Sequence, residues 1–499
     1  MKILLEALDK NTFLNSLALF NNRIDTEEGK MLSKFLCKNT TLTSLNISFN
    51  RLGSEVAKIL ADILCKNTTL TTLNLYVNKI GSEGGEALAN ALCKNTTLTF
   101  LSLSSNKLGS EGGKAIADAL CKNSTLTSLD LQYNNIEYEG GKALASALCT
   151  NTTLTSLNIG NNKLGSEGGK ALADALCNNT SLTYLNLQYN DLELNGGYAL
   201  IEALCKNTTL KKLDIQGNNF GRGEEIVDAF CKEITLTSLD LCSNRLGSEE
   251  GKILAVVLCK ITTLTSLNLY DNKLGSEGGK ALADALCMNS TLTSLNLFSN
   301  ILGSEGGKAL ANALCINTTL ISLNIGNNNL GLGGGKALAD ALCKNSTLKD
   351  LNLNSNWTEN LDNNNHGSEV GKALADALCK NSTLISLELY NNTLGLEGGK
   401  TLADALCKNS TLTSLNLQYN KLGSAGGKTL ANALCLIQAT KVMDFFIANS
   451  EYYIYQRVAI LDDDLHHMAK LILVLAIPDQ LIFNPFFVFL SRSQKFGDF

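Results

Sequence analysis

Apolar and polar residues recur in a fixed order along this chain. The pattern LxxLxLxxN begins at Leu14, Leu42, Leu70, Leu98, Leu126, Leu154, Leu182, Leu210, Leu236, Leu264, Leu292, Leu320, Leu348, Leu384 and Leu412. These are fifteen copies, each ending on asparagine, from Asn22 to Asn420. In residues 98–125 (LTFLSLSSNKLGSEGGKAIADALCKNST), Leu101, Ser102 and Leu103 alternate as a short half-buried strand should. Gly112, Ile116 and Leu120 then recur every fourth residue, one helical face turned to a core. Ser110 reads as the helix N-cap, with Glu111 just inside it where the dipole favours an acid. Each copy therefore predicts strand, loop, helix, loop. The closing asparagine has two donors and an acceptor, enough to bridge the backbones of adjacent turns.

The cysteines keep the same time. From Cys37 they recur every 28 residues to Cys205, then Cys231 follows after 26 and Cys379 after 36, and only Cys242 stands outside the series. A fixed period of this size predicts a solenoid. Strands stack about 4.8 Å apart while packed helices need roughly 8–10 Å, so the stack must curve with its sheet on the concave face. Fifteen strands give an inner rim on the order of 70 Å.

The unit LxxLxLxxNxLGxxGxxxLAxxLxxN resembles the leucine-rich repeat of the ribonuclease-inhibitor type, found also in Ran GTPase-activating proteins and in the repeat domains of NOD-like receptors. The match covers roughly residues 3 to 435. It implies an α/β horseshoe of fifteen strand-loop-helix repeats with a parallel sheet on the concave face. For function it implies a non-enzymatic scaffold, a sensor or regulatory module that binds a protein partner through the concave face and rim. The alternative it carries is a GTPase activator of the Ran type. The near-uniform 28-residue period resembles the receptor and activator branches more than ribonuclease inhibitor itself.

Spacing also decides what the cysteines are for. Each regular cysteine closes its helix one helix spacing from the next, beyond the reach of about 7 Å that a disulfide needs. No CxxC or Cys/His pair occurs to hold a metal. The expectation is a column of small side chains in the seam between repeats, reduced, in a cytoplasmic protein. Asn-x-Thr/Ser triplets at Asn39, Asn67, Asn95, Asn123 and Asn409 are expected to end helices in a left-handed turn rather than carry glycans. The start, MKILLEALDK, is broken by Glu6 and is no secretory signal.

With 42 basic and 47 acidic residues, a net charge of −5 and 6% aromatics, the chain has no nucleic-acid footprint. The near-P-loops Gly395–Thr401 (GLEGGKT) and Gly423–Thr429 (GSAGGKT) are one residue short and are ordinary copies of the repeat's GSEGGKA segment. With three histidines in all, no base and nucleophile can be assembled on one site, so no catalytic residue, cofactor or metal is expected.

Function is sought instead where the repeats differ. Core positions barely change from copy to copy, whereas the strand positions facing the groove do. Candidate partner-binding residues are Tyr76, Phe100, Asp130, Gln132, Tyr133, Tyr184, Gln188, Tyr189, Lys212, Asp214, Gln216, Asp240 and Tyr270, richest between Tyr184 and Cys242. Aromatic rings spaced over a polar groove are usual anchors of a protein interface. The three groove columns hold five acids (Asp130, Asp214, Asp240, Asp350, Glu388) against one base, Lys212, so the expected partner is a protein with a basic face. The 26-residue repeat, residues 210–235, is expected to disturb the stacking there. An insertion from Asn356 to His366 (NWTENLDNNNH) carries Trp357, a further candidate contact at the rim.

Two domains are read: residues 1–440 as the solenoid and 441–499 as an atypical apolar tail. Residues 1–13 are expected to enter the solenoid in mid-repeat, with Asp9 where a cysteine would stand. The tail's Leu471–Leu490 stretch (LILVLAIPDQLIFNPFFVFL) is long enough to span a bilayer, but Asp479, Pro478 and Pro485 bring insertion to break-even or worse. A cap over the last repeat is therefore favoured over a membrane tail.

Overall fold

The computed structural model describes residues 2–8, 11, 13–221, 235–358, 366–436, 443–449, 452–458 and 472–475. Fifteen three-residue strands, from Ser16–Ala18 to Ser414–Asn416, lie parallel in one open sheet. Each pairs in register with the equivalent residues of the next copy, so Tyr184 lies beside Lys212 and Lys212 beside Ser238. The central leucine of every strand after the first is buried, and the residues on either side of it face the groove. Helices such as Gly109–Leu120 and Gly165–Leu176 cover the other face, each against its neighbours in the stack.

The asparagine at the end of each pattern carries the turn after the strand. Asn134, fully buried, donates from Nδ2 to the carbonyls of Leu103, Leu131 and Gln132, and its Oδ1 accepts the amides of Asn106 and Leu108. Three of these five groups belong to the preceding repeat, so the side chain bridges adjacent turns as expected.

Helix entry differs from the expectation. The helix opens on Gly109 (φ +67°), whose amide donates to the carbonyl of Asn134 in the next repeat. Ser110 is not the cap, and its Oγ is buried without a partner. A neighbouring backbone holds the entry, which leaves a side-chain cap nothing to do.

Helix exit is held by a second asparagine ladder. Buried Asn123 donates from Nδ2 to the carbonyl of Leu92, the last residue of the previous helix, and to that of Asn95. Its Oδ1 accepts the amides of Thr125 and Leu126. The orphan carbonyl of one helix is thus satisfied by the next repeat. These are the residues of the Asn-x-Thr/Ser triplets. None of Asn39, Asn67, Asn95, Asn123 and Asn409 takes the left-handed turn expected. Asn39 caps its helix in extended backbone (φ −74°, ψ 129°). In the others the helix closes on the preceding cysteine, with the asparagine side chain supplying the bonds just beyond.

Close helix packing rests on paired glycines. A Cβ on Gly169 would stand 2.9 Å from the Cα of Gly196, so these helices touch backbone to backbone. Gly169→Val should therefore lower stability by about 1–3 kcal/mol through overpacking, read as a lower urea midpoint. An unchanged or raised midpoint would contradict this packing.

The 26-residue repeat leaves the sheet undisturbed, since Lys212–Asp214 and Ser238–Asp240 pair in full register. Residues 222–234 of this repeat lie outside the described residues. Beyond the last repeat, Met443–Asn449 pairs parallel with Ser414–Asn416, and Tyr452–Val458 folds back antiparallel onto it. Among the described residues no helix is long and apolar enough to cross a membrane. Apart from the strand Ile472–Leu475, the apolar stretch Leu471–Leu490 lies outside them.

Candidate binding face

The groove residues fall into columns whose geometry repeats. The residue closing each strand is asparagine in nine copies, including Asn158, Asn186 and Asn268, and its Oδ1 accepts the amide two residues on. Asp130, Asp214 and Asp240 stand in this column and do the same for Gln132, Gln216 and Cys242, at 2.9–3.1 Å. The hydrogen-bonding role is thus met equally by asparagine, and the negative charge is an addition to it.

That charge is poorly compensated. Asp214 and Asp240 are register partners on adjacent strands. Burial pushes the Asp214 carboxyl up to about 6, with Asp240 adding repulsion. Burial raises Asp130 too, although it accepts a bond from Ser102. Asp240 accepts from Asn268 at 2.8 Å. Lys212, exposed, makes no ion pair with Asp214. On the helices, by contrast, lysines already hold glutamates, as in Lys170–Glu167 and Lys308–Glu305, both 2.7 Å.

Two tyrosines flank the acids. Tyr184 opens its strand half-buried, its phenol pushed up by burial and by the nearby Asp214, Asp130 and Asp240. Tyr189 lies on the other side. Its Oη accepts from Gln216 Nε2 at 2.9 Å, and its ring lies so close over Gly217 that a Cβ there would approach within 2.4 Å. Gln188 leans into the space left by Gly160, where a Cβ would stand 2.7 Å from its Cγ. The patch is therefore held in shape before any partner arrives.

Tyr189 also shares an unusual backbone. The residue before each ladder asparagine has positive φ; in ten copies it is Asn, Ser, Asp or Gly, of which Asn, Asp and Gly tolerate it best, and in one it is Val77. Phe49 (54°), Tyr133 (57°), Tyr189 (51°) and Tyr419 (58°) are aromatic residues in the same conformation. Left-handed backbone costs such residues roughly 1–2 kcal/mol. All four remain large exposed apolar surfaces.

Twelve segments of the chain match the Leucine Rich repeat family: residues 38–58, 66–89, 94–117, 122–145, 150–173, 178–200, 206–222, 260–283, 289–311, 317–339, 380–403 and 408–431. They cover just over half of the 499 residues. The chain belongs to the leucine-rich repeat family. No curated protein matches it significantly. Among solved structures it is similar to the actin-binding site 2 of leiomodin-1, with 23% identity over 27% of this chain and 78% of that one, TM-score 0.25. It is also similar to the complex of Rad7 and Elc1 in yeast, with 19% identity over 73% of this chain and 83% of that one, TM-score 0.44. At these values neither superposition bears on function.

The leucine-rich repeat frame separates the sequence candidates. Asp130, Gln132, Tyr133, Tyr184, Gln188, Tyr189, Lys212, Asp214, Gln216 and Asp240 come together over five successive strands. Phe100 is half-buried on the strand before them. Tyr76 stands two strands before them and packs edge-on against Phe49 at 4.7 Å, and Tyr270 stacks on Phe298 at 5.2 Å on the far side. Phe49 was missed by the sequence reading, and its signal was a bulky residue in the turn position before the ladder asparagine.

Trp357 does not belong to the face. It is 2% exposed, its Nε1–H donates to the carbonyl of Gly331 at 2.7 Å, and its amide donates to Asn392 Oδ1. Asn356 is the buried ladder asparagine of its repeat. The insertion is therefore confined to residues after Trp357, and 359–365 lie outside the described residues. The cysteines follow the expectation in part: Cys65, Cys93, Cys177, Cys287 and Cys343 are half-buried against the core, whereas Cys121, Cys149 and Cys315 at equivalent helix ends are exposed. Cys242 in the groove is buried, which pushes its thiol up to about 11. It is thus a poor target for labelling.

One pH dependence follows. The folded pKa of Asp214 lies above its ordinary value of 3.8, so the ionised carboxylate destabilises the fold above about pH 6 and the penalty vanishes below pH 4. Asp214→Asn keeps the oxygen that accepts the Gln216 amide. It should melt higher than the parent at pH 8, by about 1 kcal/mol after allowing for solvent screening, and level with it at pH 4. A pH-independent difference would contradict burial of the carboxylate as the cause.

Proposed function

We propose that this leucine-rich repeat protein is a non-enzymatic scaffold that captures a protein partner on the groove face of its sheet, centred on Tyr133, Tyr184 and Tyr189. The observation that carries the reading is the set of exposed aromatic residues held in left-handed turns where Asn, Ser, Asp or Gly serves ten of the other eleven repeats and Val77 the eleventh. Scaffold stability favours the small residue, so the aromatic ring is retained at an energetic cost that contact with another surface would offset. The flanking Asp130, Asp214 and Asp240 give that surface a negative sign, matched by a partner with a basic face. Ran-type GTPase activation has no observation of its own in this groove.

The test uses a photo-crosslinking amino acid placed at Tyr133, at Tyr189 or at Tyr198, an exposed tyrosine on the helix Glu193–Leu204. A single adduct is expected from the two groove positions and none of that mass from Tyr198. Equal adducts from all three would remove the reading.

A further inference from the structure

Many convex lysines are paired in cis with glutamates, while among the described residues Asp130, Asp214 and Asp240 make no ion pair and accept instead from backbone amides, Ser102 and Asn268. Next to them a hollow of about 510 Å³ opens along the loops that follow the strands. Its walls include Tyr189, Gly217, Ser243, Asp271, Lys273 and Ile301, and Ile301 is 61% exposed. An uncompensated acidic row beside a partly apolar hollow is complementary to one kind of chain.

Resting on the scaffold reading above, we infer that this face docks an extended basic segment of another protein. An arginine or lysine sits between Asp214 and Asp240, a second sits over Asp130, and an apolar side chain enters the hollow beside Tyr189. The spacing follows from the sheet. Asp130 is three strands from Asp214 and four from Asp240, so the point between those two lies about 17 Å away, about five extended residues. Side chains of an extended chain alternate, so the spacing that turns both basic residues to the sheet is i and i+4, with their long stems covering the remainder. Guanidinium is the better fit between Asp214 and Asp240, because its fork can bond both carboxylates at once. Lys212, the one base in the groove columns, opposes the segment and sets its limit on the Tyr184 side. Arg245 and Lys273 in the wall of the hollow, beside Asp191 and Asp271, keep a basic side chain out of it and leave it to the apolar one.

The experiment titrates the full chain with fluorescent 12-residue peptides carrying two arginines four apart and one leucine stepped through the other positions. Glutamate replaces arginine in the control peptides, and a dT20 oligonucleotide and MnCl2 serve as competitors. At least one arginine peptide should saturate the protein, while the glutamate peptides do not. The variant Asp130→Asn/Asp214→Asn/Asp240→Asn, which keeps the strand-end hydrogen bonds, should bind it at least tenfold more weakly while melting no lower than the parent. Lys212→Ala should tighten binding a few-fold.

Equal binding by parent and triple variant, equal binding of the glutamate peptides, displacement by MnCl2 or dT20 alone, or no binding up to 1 mM peptide would each overturn the inference. If crosslinking at Tyr133 and Tyr189 still yields one adduct in that case, the scaffold reading stands and only the basic segment falls.

Discussion

Asn134→Leu is expected to lower the stability of the repeats around it by about 4 kcal/mol. The change removes two N–H donors shared by three carbonyls and one acceptor of two amides, all inside the turn. Leaving a buried backbone group unsatisfied costs about 1–3 kcal/mol, and no water reaches a residue with no exposed surface. The leucine returns part of this through apolar burial, which keeps the sum near the top of the range for single substitutions. Because a solenoid couples mainly to nearest neighbours, the loss should concentrate in the adjoining repeats. Hydrogen exchange reads this directly: amides in residues 98–162 should lose protection while those beyond residue 300 keep theirs. Uniform loss along the chain, or none, would contradict the ladder's role.

Trp357→Ala is expected to cost about 3–5 kcal/mol, the range for deleting a buried aromatic side chain. The indole fills the space over Gly335, where a Cβ would stand 2.7 Å from its Cζ2, and shares that space with Val370. In regular repeats a leucine does this work, as Leu108 does over Gly85. Trp357→Phe keeps most of the ring and loses the bond to Gly331, so it should cost about 1–2 kcal/mol. A rim contact would behave otherwise, with either change within about 0.5 kcal/mol. Trp357 is the chain's one tryptophan, so its native emission reports the same thing: blue-shifted and resistant to acrylamide if buried, red-shifted and quenched if not.

Periodicity made the fold legible. A period-two strand and a period-four helix repeated fifteen times leave one arrangement that buries every leucine. The job of the first ladder asparagine could be derived from its donors and acceptor alone. Elements that depend on the next repeat could not be read so easily. Ser110 has the chemistry of a cap, but the carbonyl of Asn134 already holds the amide of Gly109. The Asn123 column looks like a row of turn residues until its amide is seen to reach Leu92, 31 positions back.

The cysteine column was legible only in part, since Cys65 and Cys93 pack against the core while Cys121 and Cys149 at the same repeat position are exposed. Trp357 misled because composition around it is polar, whereas its own position follows directly on a buried asparagine. For the face, sequence variation located Tyr184, Tyr189 and Asp214 on adjoining strands. It could not show that Tyr133 and Tyr189 sit in left-handed backbone, or that asparagine supplies the same hydrogen bond as Asp214 in nine other repeats. Both facts come from backbone geometry.

The central claim is that aromatic residues in these turns serve a partner rather than the fold. Tyr133→Asn combined with Tyr189→Asn tests it in one protein. Asparagine relieves the left-handed strain at φ 57° and 51°, while the Tyr189 ring gives up its packing on Gly217 and its bond to Gln216. The melting temperature should therefore hold level or rise by a few degrees, and capture of the partner identified by crosslinking should fall at least tenfold. A clear drop in melting temperature, or capture equal to the parent's, would contradict the account.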